Sequence, residues 1–239
     1  MPHARITSKQ LARFSDPFEM PAYGIREAAL YLQLPPATLA SWVKGRPYQT
    51  NAGEQFFPPV IALPDESLRL LSFYNLAEAH VLAAFRRHHR IDLQHIRSAL
   101  DFVSARFGHK RPLIEQKFET DGVKLFIEHL GTIIDASGGG QIVMHTVKAY
   151  FKRLDWANET VVRFWPFTRS EIDDSPRRVF IDPRTAFGRP SLIQCNVPTA
   201  EIAARFKAGE TVESLADDFG CDAFDINEAL RCEMGRLAA

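Results

Sequence analysis

Thr38, Ser41 and Lys44 recur every third residue near the end of the stretch YGIREAALYLQLPPATLASWVK, which runs from Tyr23 to Lys44, and Arg46 follows just beyond. At helical spacing the three fall on one outward strip. Hydroxyl, ammonium and guanidinium groups arranged this way are what a recognition helix offers to base edges and phosphates in a major groove. Arg26 lies on the preceding segment, and Tyr48, Gln49 and Asn51 follow where a wing would run beside the phosphates. The expected DNA-contacting set is therefore Arg26, Thr38, Ser41, Lys44, Arg46, Tyr48, Gln49 and Asn51.

Other chemistry-bearing groups give weaker patterns. His88 and His89 are adjacent and cannot share a helical face, and His95 has no carboxylate or cysteine at supporting spacing, so a solvated basic helix is expected there rather than a metal site. Asp173-Asp174 sits in a charged loop from Ser170 to Ser175, without the setting of a catalytic carboxylate pair. Ser137-Gly138-Gly139-Gly140 lacks the Lys-Ser or Lys-Thr of a phosphate loop and reads as a turn. Cys195, Cys221 and Cys232 have no CxxC spacing and are expected as reduced, mostly buried thiols. No catalytic residues, no metal and no cofactor are expected.

The elements that must position the polar strip are two short helices crossing closely. Ile25, Ala28, Ala29 and Leu32 repeat at helical spacing, Leu34-Pro35-Pro36 interrupts them, and Leu39 with Trp42 or Val43 resumes the pattern. Small Ala28 and Ala29 permit the approach that Leu39 and Trp42 fill. Pro36 suits a first helical turn, where its missing N–H has no partner to lose. Gly45-Arg46-Pro47 ends the second helix, Thr50 to Gly53 reads as a turn, and Phe56 to Leu63 as an edge strand that would complete a wing. From Asn75 to Phe107 come two amphipathic helices separated near Arg90-Ile91-Asp92, with Leu76, Ala79, His80, Ala83 and Ala84 on one stripe and Leu93, Ile96, Leu100 and Val103 on the next.

After Gly108 to Pro112 the pattern alternates. Leu113-Ile114, Phe118, Val123 to Ile127 and Thr132 to Ile134 read as short strands of a small antiparallel sheet, with Asp121-Gly122 as a hairpin turn. Phe164, Trp165 and Phe167 suit either a partner surface or a core. A second unit begins at Arg177, with brief strands at Val179 to Ile181 and Ser191 to Cys195. Three helices follow at residues 199–208, 212–219 and 223–232, with Thr211 and Asp222 placed as amino-terminal caps and Gly209 and Gly220 as stops. Asp222, Asp225 and Glu228 make the last helix read as anionic, which counts against DNA contact there.

The 239 residues are 46% hydrophobic and 24% charged, within the range of an ordinary globular protein. No apolar run approaches the roughly 20 residues of a membrane span, and MPHARITSKQ lacks the apolar core of a signal peptide, so a cytoplasmic location is expected. Net charge is zero. It is unevenly spread, since residues 1–115 carry a basic excess and six of the eight histidines, while residues 116–239 carry an acidic excess. A cationic front suits phosphate, and an anionic rear suits a basic protein partner.

The stretch from Val179 to Leu230 resembles the small bacterial domain of unknown function found in antitoxins, through Ile181-Asp182-Pro183, Gly188-Arg189-Pro190, Val197-Pro198, Ala208-Gly209-Glu210 and Ala229-Leu230. The front resembles a MerR-like winged helix-turn-helix. Together they resemble VapB-type antitoxins, whose partner is a VapC-like toxin of PIN-type nuclease fold. The resemblance implies a protein that is not an enzyme, that blocks a ribonuclease with one surface and binds its own operator with another; a homodimer is expected because operators commonly mirror two-fold symmetry and one weak recognition helix supplies limited affinity. Where related winged helices often carry arginine this chain has Ala40 and Ser41, which weighs against base readout by that pair. A toxin of this type holds metal with clustered carboxylates, so an inserted arginine is the inhibitory chemistry to look for. The candidates are Arg177, Arg178, Arg184 and Arg189, with Arg177 and Arg178 favoured because they lie in a polar linker.

The resulting expectation is an α+β chain: a flexible arm at 1–20, a MerR-like winged helix-turn-helix with a helical pair at 21–108, a small sheet region and linker at 109–176, and a carboxy-terminal three-helix, helix-turn-helix-like antitoxin domain at 177–239. Its expected partners are a PIN-type toxin, operator DNA and a second copy of itself, with no membrane. The alternative is a free-standing MerR-like regulator whose carboxy-terminal half dimerises or senses a ligand.

Overall fold

The computed structural model describes residues 13–50, 53–89, 93–108, 111–115, 122–123, 126, 139–172 and 174–234. Within them, eight α-helices and three two-stranded antiparallel pairs make a mixed α and β architecture. Helix α1 (Ile25–Tyr31) and helix α2 (Pro36–Lys44) form the bihelical front. Glu27 accepts a hydrogen bond from the Gly24 amide at 3.3 Å, satisfying one of the free donors of the first turn. Gln33 takes a left-handed φ of 52° to turn the chain. Ala28, Ala29, Leu39 and Trp42 are all buried, as the close crossing requires.

Gly45 ends α2 at φ 72°, and a Cβ there would collide with the Phe57 carbonyl oxygen, so only glycine fits. Strands β1 (Arg46–Thr50) and β2 (Gly53–Phe57) then pair as a hairpin, with Tyr48 opposite Gln55 and Thr50 opposite Gly53. The strand expected to run to Leu63 stops at Phe57, because Pro58 and Pro59 have no amide to continue a ladder. The chain instead returns under α2, where the Val60 and Ile61 amides both donate to the Trp42 carbonyl.

Helix α3 (Phe73–His89) is the centre of the molecule. Its start is capped reciprocally: the Asn75 amide donates to the Ser72 hydroxyl and the Ser72 amide to the Asn75 side chain, each at 3.2 Å. From Phe73 to Phe85 every side chain except Tyr74 is buried, so this helix is covered all round rather than along one stripe. Helix α4 (Leu93–Phe107) follows and buries Ile96, Leu100 and Val103. The arm expected at 1–20 is only partly outside the described residues. Phe18 packs on Phe73 and Tyr74 at ring distances of 5.5 and 5.6 Å, and Glu19 pairs with Arg111 at 2.9 Å, so the end of this stretch is tied to the start of α3 and to Arg111.

The middle region departs from the expected sheet. Leu113 and Ile114 lie in a 3-10 turn (Pro112–Ile114), and Val123 and Phe126 are helical. All four are buried. Short apolar runs fit a buried turn of helix as well as a strand, which is why their pattern misleads. Phe118, Asp121 and residues 132–134 lie outside the described residues. Gly139 and Gly140, expected in a turn, open helix α5 (Gly139–Phe151), which packs on α3. The antiparallel pair of this region comes later, as β3 (Leu154–Ala157) and β4 (Thr160–Phe164), joined by Asn158 and Glu159 at φ 50° and 66° in the two-residue turn that suits the strand twist.

Phe164 bridges to Ile181, tying that hairpin to β5 (Val179–Phe180), which pairs with β6 (Ser191–Leu192). Helices α6 (Thr199–Lys207), α7 (Val212–Phe219) and α8 (Ala223–Met234) close the chain and pack on one another. Thr211 caps α7 through the Ser214 amide, and Gly220 ends it at φ 65°. Helix α8 also contacts α1, and one hydrophobic cluster includes residues from Tyr23 to Cys232.

Candidate nucleic-acid interface and the carboxy-terminal turn

The residues expected to meet DNA lie on α1, on α2 and along the hairpin. Arg26, Lys44, Arg46 and Gln49 are exposed, and Tyr48 is 39% exposed. Thr38 and Ser41 are half-buried, and the Ser41 hydroxyl donates to the Thr38 carbonyl at 2.7 Å. Asn51 lies outside the described residues. Sequence reasoning missed Arg97 on α4. Its guanidinium donates to the Pro58 carbonyl at 2.8 Å and to that of Pro59, and lies 5.4 Å from the Phe57 ring, so α4 braces the base of the hairpin.

The carboxy-terminal arginines are mostly engaged. Arg177 pairs with Asp155 and lies 4.3 Å over the Trp165 ring. Arg178 stands 3.5 Å from Asp225 and 5.4 Å from the Phe224 ring. Arg184 grips Asp182 with two parallel hydrogen bonds of 2.9 and 2.7 Å. Burial opposes ionisation of Asp182, but the Arg184 hydrogen bonds, helped by Arg163, hold its carboxyl below the usual range. Arg189 is exposed, and its guanidinium has no ion pair or hydrogen bond among the described residues.

Two expectations are corrected here, and one open alternative is decided. The last helix is not an anionic face: Asp225 and Glu228 are fully buried, and only Asp222 of the three is exposed. Glu228 accepts from Thr168, from Arg169 at 2.6 and 3.0 Å and from Arg231 at 2.6 Å, while burial pushes the Asp225 carboxyl up. Arg169 and Arg178, from before the carboxy-terminal helices, and Arg231 of α8 itself stand against these carboxylates. The expected reduced thiols also fail in part, since Cys195 and Cys221 are bonded across 26 positions with Cα atoms 6.4 Å apart, while Cys232 is a free buried thiol. Phe164, Trp165 and Phe167 are core.

The front and rear are locked together. Gln33, in the turn of the bihelical motif, donates to the carbonyls of Phe167 at 2.6 Å and Arg169 at 3.2 Å. Among the described residues no cluster of three His, Cys, Asp or Glu side chains is placed to hold a metal, and no helix is long and apolar enough to cross a membrane. The side chains of His88, His89 and His95, and all of Asp173, lie outside what the structure describes.

Residues 21–100 match a family described as "Putative DNA-binding HTH domain", and residues 179–231 match "Protein of unknown function (DUF433)". Along most of its length the chain is similar to "Putative antitoxin VapB45" of Mycobacterium tuberculosis, with 31% identity over 231 residues, covering 89% of this chain and 94% of that protein. A second relative from the same organism, "Uncharacterized protein Rv2308", is 23% identical over 237 residues, covering 91% and 93%. The crystal structure of Rv2018 from Mycobacterium tuberculosis superposes with a TM-score of 0.63 at 25% identity, covering 89% of this chain and 99% of that one. Extent and identity together settle the kinship: the chain belongs to the family of the antitoxin VapB45, with a helix-turn-helix DNA-binding domain at its front.

Proposed function

We propose that this chain neutralises a VapC-like ribonuclease toxin of PIN fold by direct binding and represses its own operon by binding operator DNA. The observation that carries the reading is the exposed basic end of α2, Lys44 with Arg46, inside the region that matches a DNA-binding family, in a chain whose relative is named an antitoxin. The front, residues 21–108, acts as a MerR-like winged helix-turn-helix, with the β1–β2 hairpin as wing. The rear, residues 177–239, acts as a helix-turn-helix-like toxin-binding domain. Arg26, Thr38, Ser41, Lys44 and Arg46 meet the DNA, Lys44 and Arg46 through its phosphates, and Tyr48, Gln49 and Asn51 lie on the wing near further phosphates. A homodimer presents two such helices to a two-fold operator.

On the toxin side an arginine that pairs with metal-binding carboxylates would displace the ion. Arg177 and Arg178 would have to leave Asp155 and Asp225 to do so, and Arg184 would have to leave Asp182, whereas Arg189 is already free of partners among the described residues. The free-standing regulator has one observation in its favour, an open cavity of about 670 Å³ lined by His145, Lys148, Lys152, Arg153 and Arg177. Co-expression with the product of the adjoining reading frame separates the two. A stable complex that silences ribonuclease activity and retards the upstream DNA is the expected result; an adjoining product that neither binds nor is inhibited overturns the antitoxin reading.

A further inference from the structure

The turn between β5 and β6 holds a phenylalanine in solvent by backbone geometry. Ala186, Phe187 and Gly188 have successive φ values of 48°, 56° and 76°, a left-handed run that residues with a Cβ rarely adopt. Phe187 is 94% exposed, more than any other large apolar side chain among the described residues. The turn is held from within and from outside. The Thr185 amide donates to the Asp182 carbonyl and the Gly188 amide to the Thr185 carbonyl, each at 2.9 Å, the Arg189 amide to the Ala186 carbonyl at 3.1 Å, and the Tyr23 hydroxyl to the Gly188 carbonyl at 2.8 Å. A side chain displayed on such a frame has little backbone freedom left to lose when a partner covers it.

Exposed arginines flank it along the chain. The guanidinium of Arg189 and the outer side of Arg184 are exposed, while the turn's carboxylate, Asp182, is buried and already satisfied by Arg184 and Arg163. An aromatic anchor between two exposed arginines fits an apolar pocket rimmed by carboxylates. We propose that Phe187 is the anchor of the toxin-binding surface, seated in an apolar pocket of the toxin with Arg184 and Arg189 against its acidic rim. This rests on the antitoxin reading above and adds to it the residue that carries affinity.

The test is titration calorimetry of the full chain against the purified product of the adjoining reading frame, with light scattering and thermal melting of each variant alongside. Phe187→Ala should weaken binding at least about tenfold, as loss of an interface anchor does. Phe187→Gly should weaken it as much without lowering the melting temperature, because glycine accepts this φ. Arg189→Glu should slow association and flatten its dependence on salt. Wild-type affinity retained within about twofold by Phe187→Ala overturns the proposal, as does a variant that loses only self-association. A wild-type chain that does not bind the product at all overturns the antitoxin reading and this one with it.

Discussion

Tyr23 and Gly188, 165 positions apart, share a buried hydrogen bond of 2.8 Å from phenol to carbonyl that fastens the first residue of the bihelical front to the turn of the rear unit. Burial, with Glu27 and Asp182 nearby, raises the phenol pKa, so the group stays a donor throughout the working pH range. Tyr23→Phe leaves the Gly188 carbonyl without its partner and should cost about 1–3 kcal/mol in urea unfolding. Gly188→Ala should cost at least as much, since it adds strain at φ 76° and a collision with the same hydroxyl. An unchanged midpoint in both variants would show that the link carries no stability.

The parts of this fold legible in the sequence are those whose reasons are local. Ala28, Ala29, Leu39 and Trp42 state a close crossing in their sizes, and Thr211 and Gly220 mark both ends of α7. Asn158-Glu159 makes a tight turn without the Asn-Gly or Asp-Gly signal, and Leu113-Ile114 is buried in a geometry its pattern does not choose. The polar strip on α2 was visible, but its support was not: Arg97 reaches the hairpin from 38 positions away. Separations of 59 and 26 positions likewise hid Arg169 beside Glu228 and Cys195 beside Cys221, which only the tertiary packing brings together.

Glu228 is a fully buried carboxylate whose partners Thr168 and Arg169 lie in the middle region and Arg231 one turn along α8. Removing its charge strands the part-buried guanidinium of Arg169, so Glu228→Gln should destabilise by about 3 kcal/mol. Arg231 is about half exposed, and Arg231→Ala should cost about 1 kcal/mol or less. Equal effects in chemical denaturation would contradict the assignment of Glu228 as the hub.

His80 gives the stability of the chain a pH dependence. Its ring is buried against Tyr150 and Phe164 at 4.6 Å each, and its Nε2 donates to the Tyr150 carbonyl at 3.0 Å. Burial drives its pKa down from 6.5 to about 3, the Tyr150 hydrogen bond opposing and Arg153 assisting. Between these values the unfolded chain binds a proton that the folded chain does not, so stability falls as pH drops below 6.5, by up to about 1.4 kcal/mol per pH unit from this group. Glu78 and Asp225, held up by burial, act in the opposite sense. The informative quantity is therefore the difference from His80→Gln, whose melting temperature should fall less steeply between pH 6.5 and 5; parallel profiles would remove His80 from the account.

Arg97 and the pair Lys44 and Arg46 make separable contributions under the proposed DNA interface. Arg97 donates through Nη2 to the Pro58 and Pro59 carbonyls and lies against the Phe57 ring, so it holds the base of the hairpin. Lys44 and Arg46 are exposed where α2 passes into β1. Lys44→Ala with Arg46→Ala should lower operator affinity and reduce the slope of log K against log salt by about two, one released counterion for each lost phosphate contact. Arg97→Ala should lower affinity with the slope unchanged, because it loosens the wing without removing a phosphate contact. Fluorescence anisotropy across a salt series reads both. A slope that drops for Arg97→Ala would make Arg97 a direct phosphate contact, and a double variant with the wild-type slope would move the DNA surface away from the end of α2.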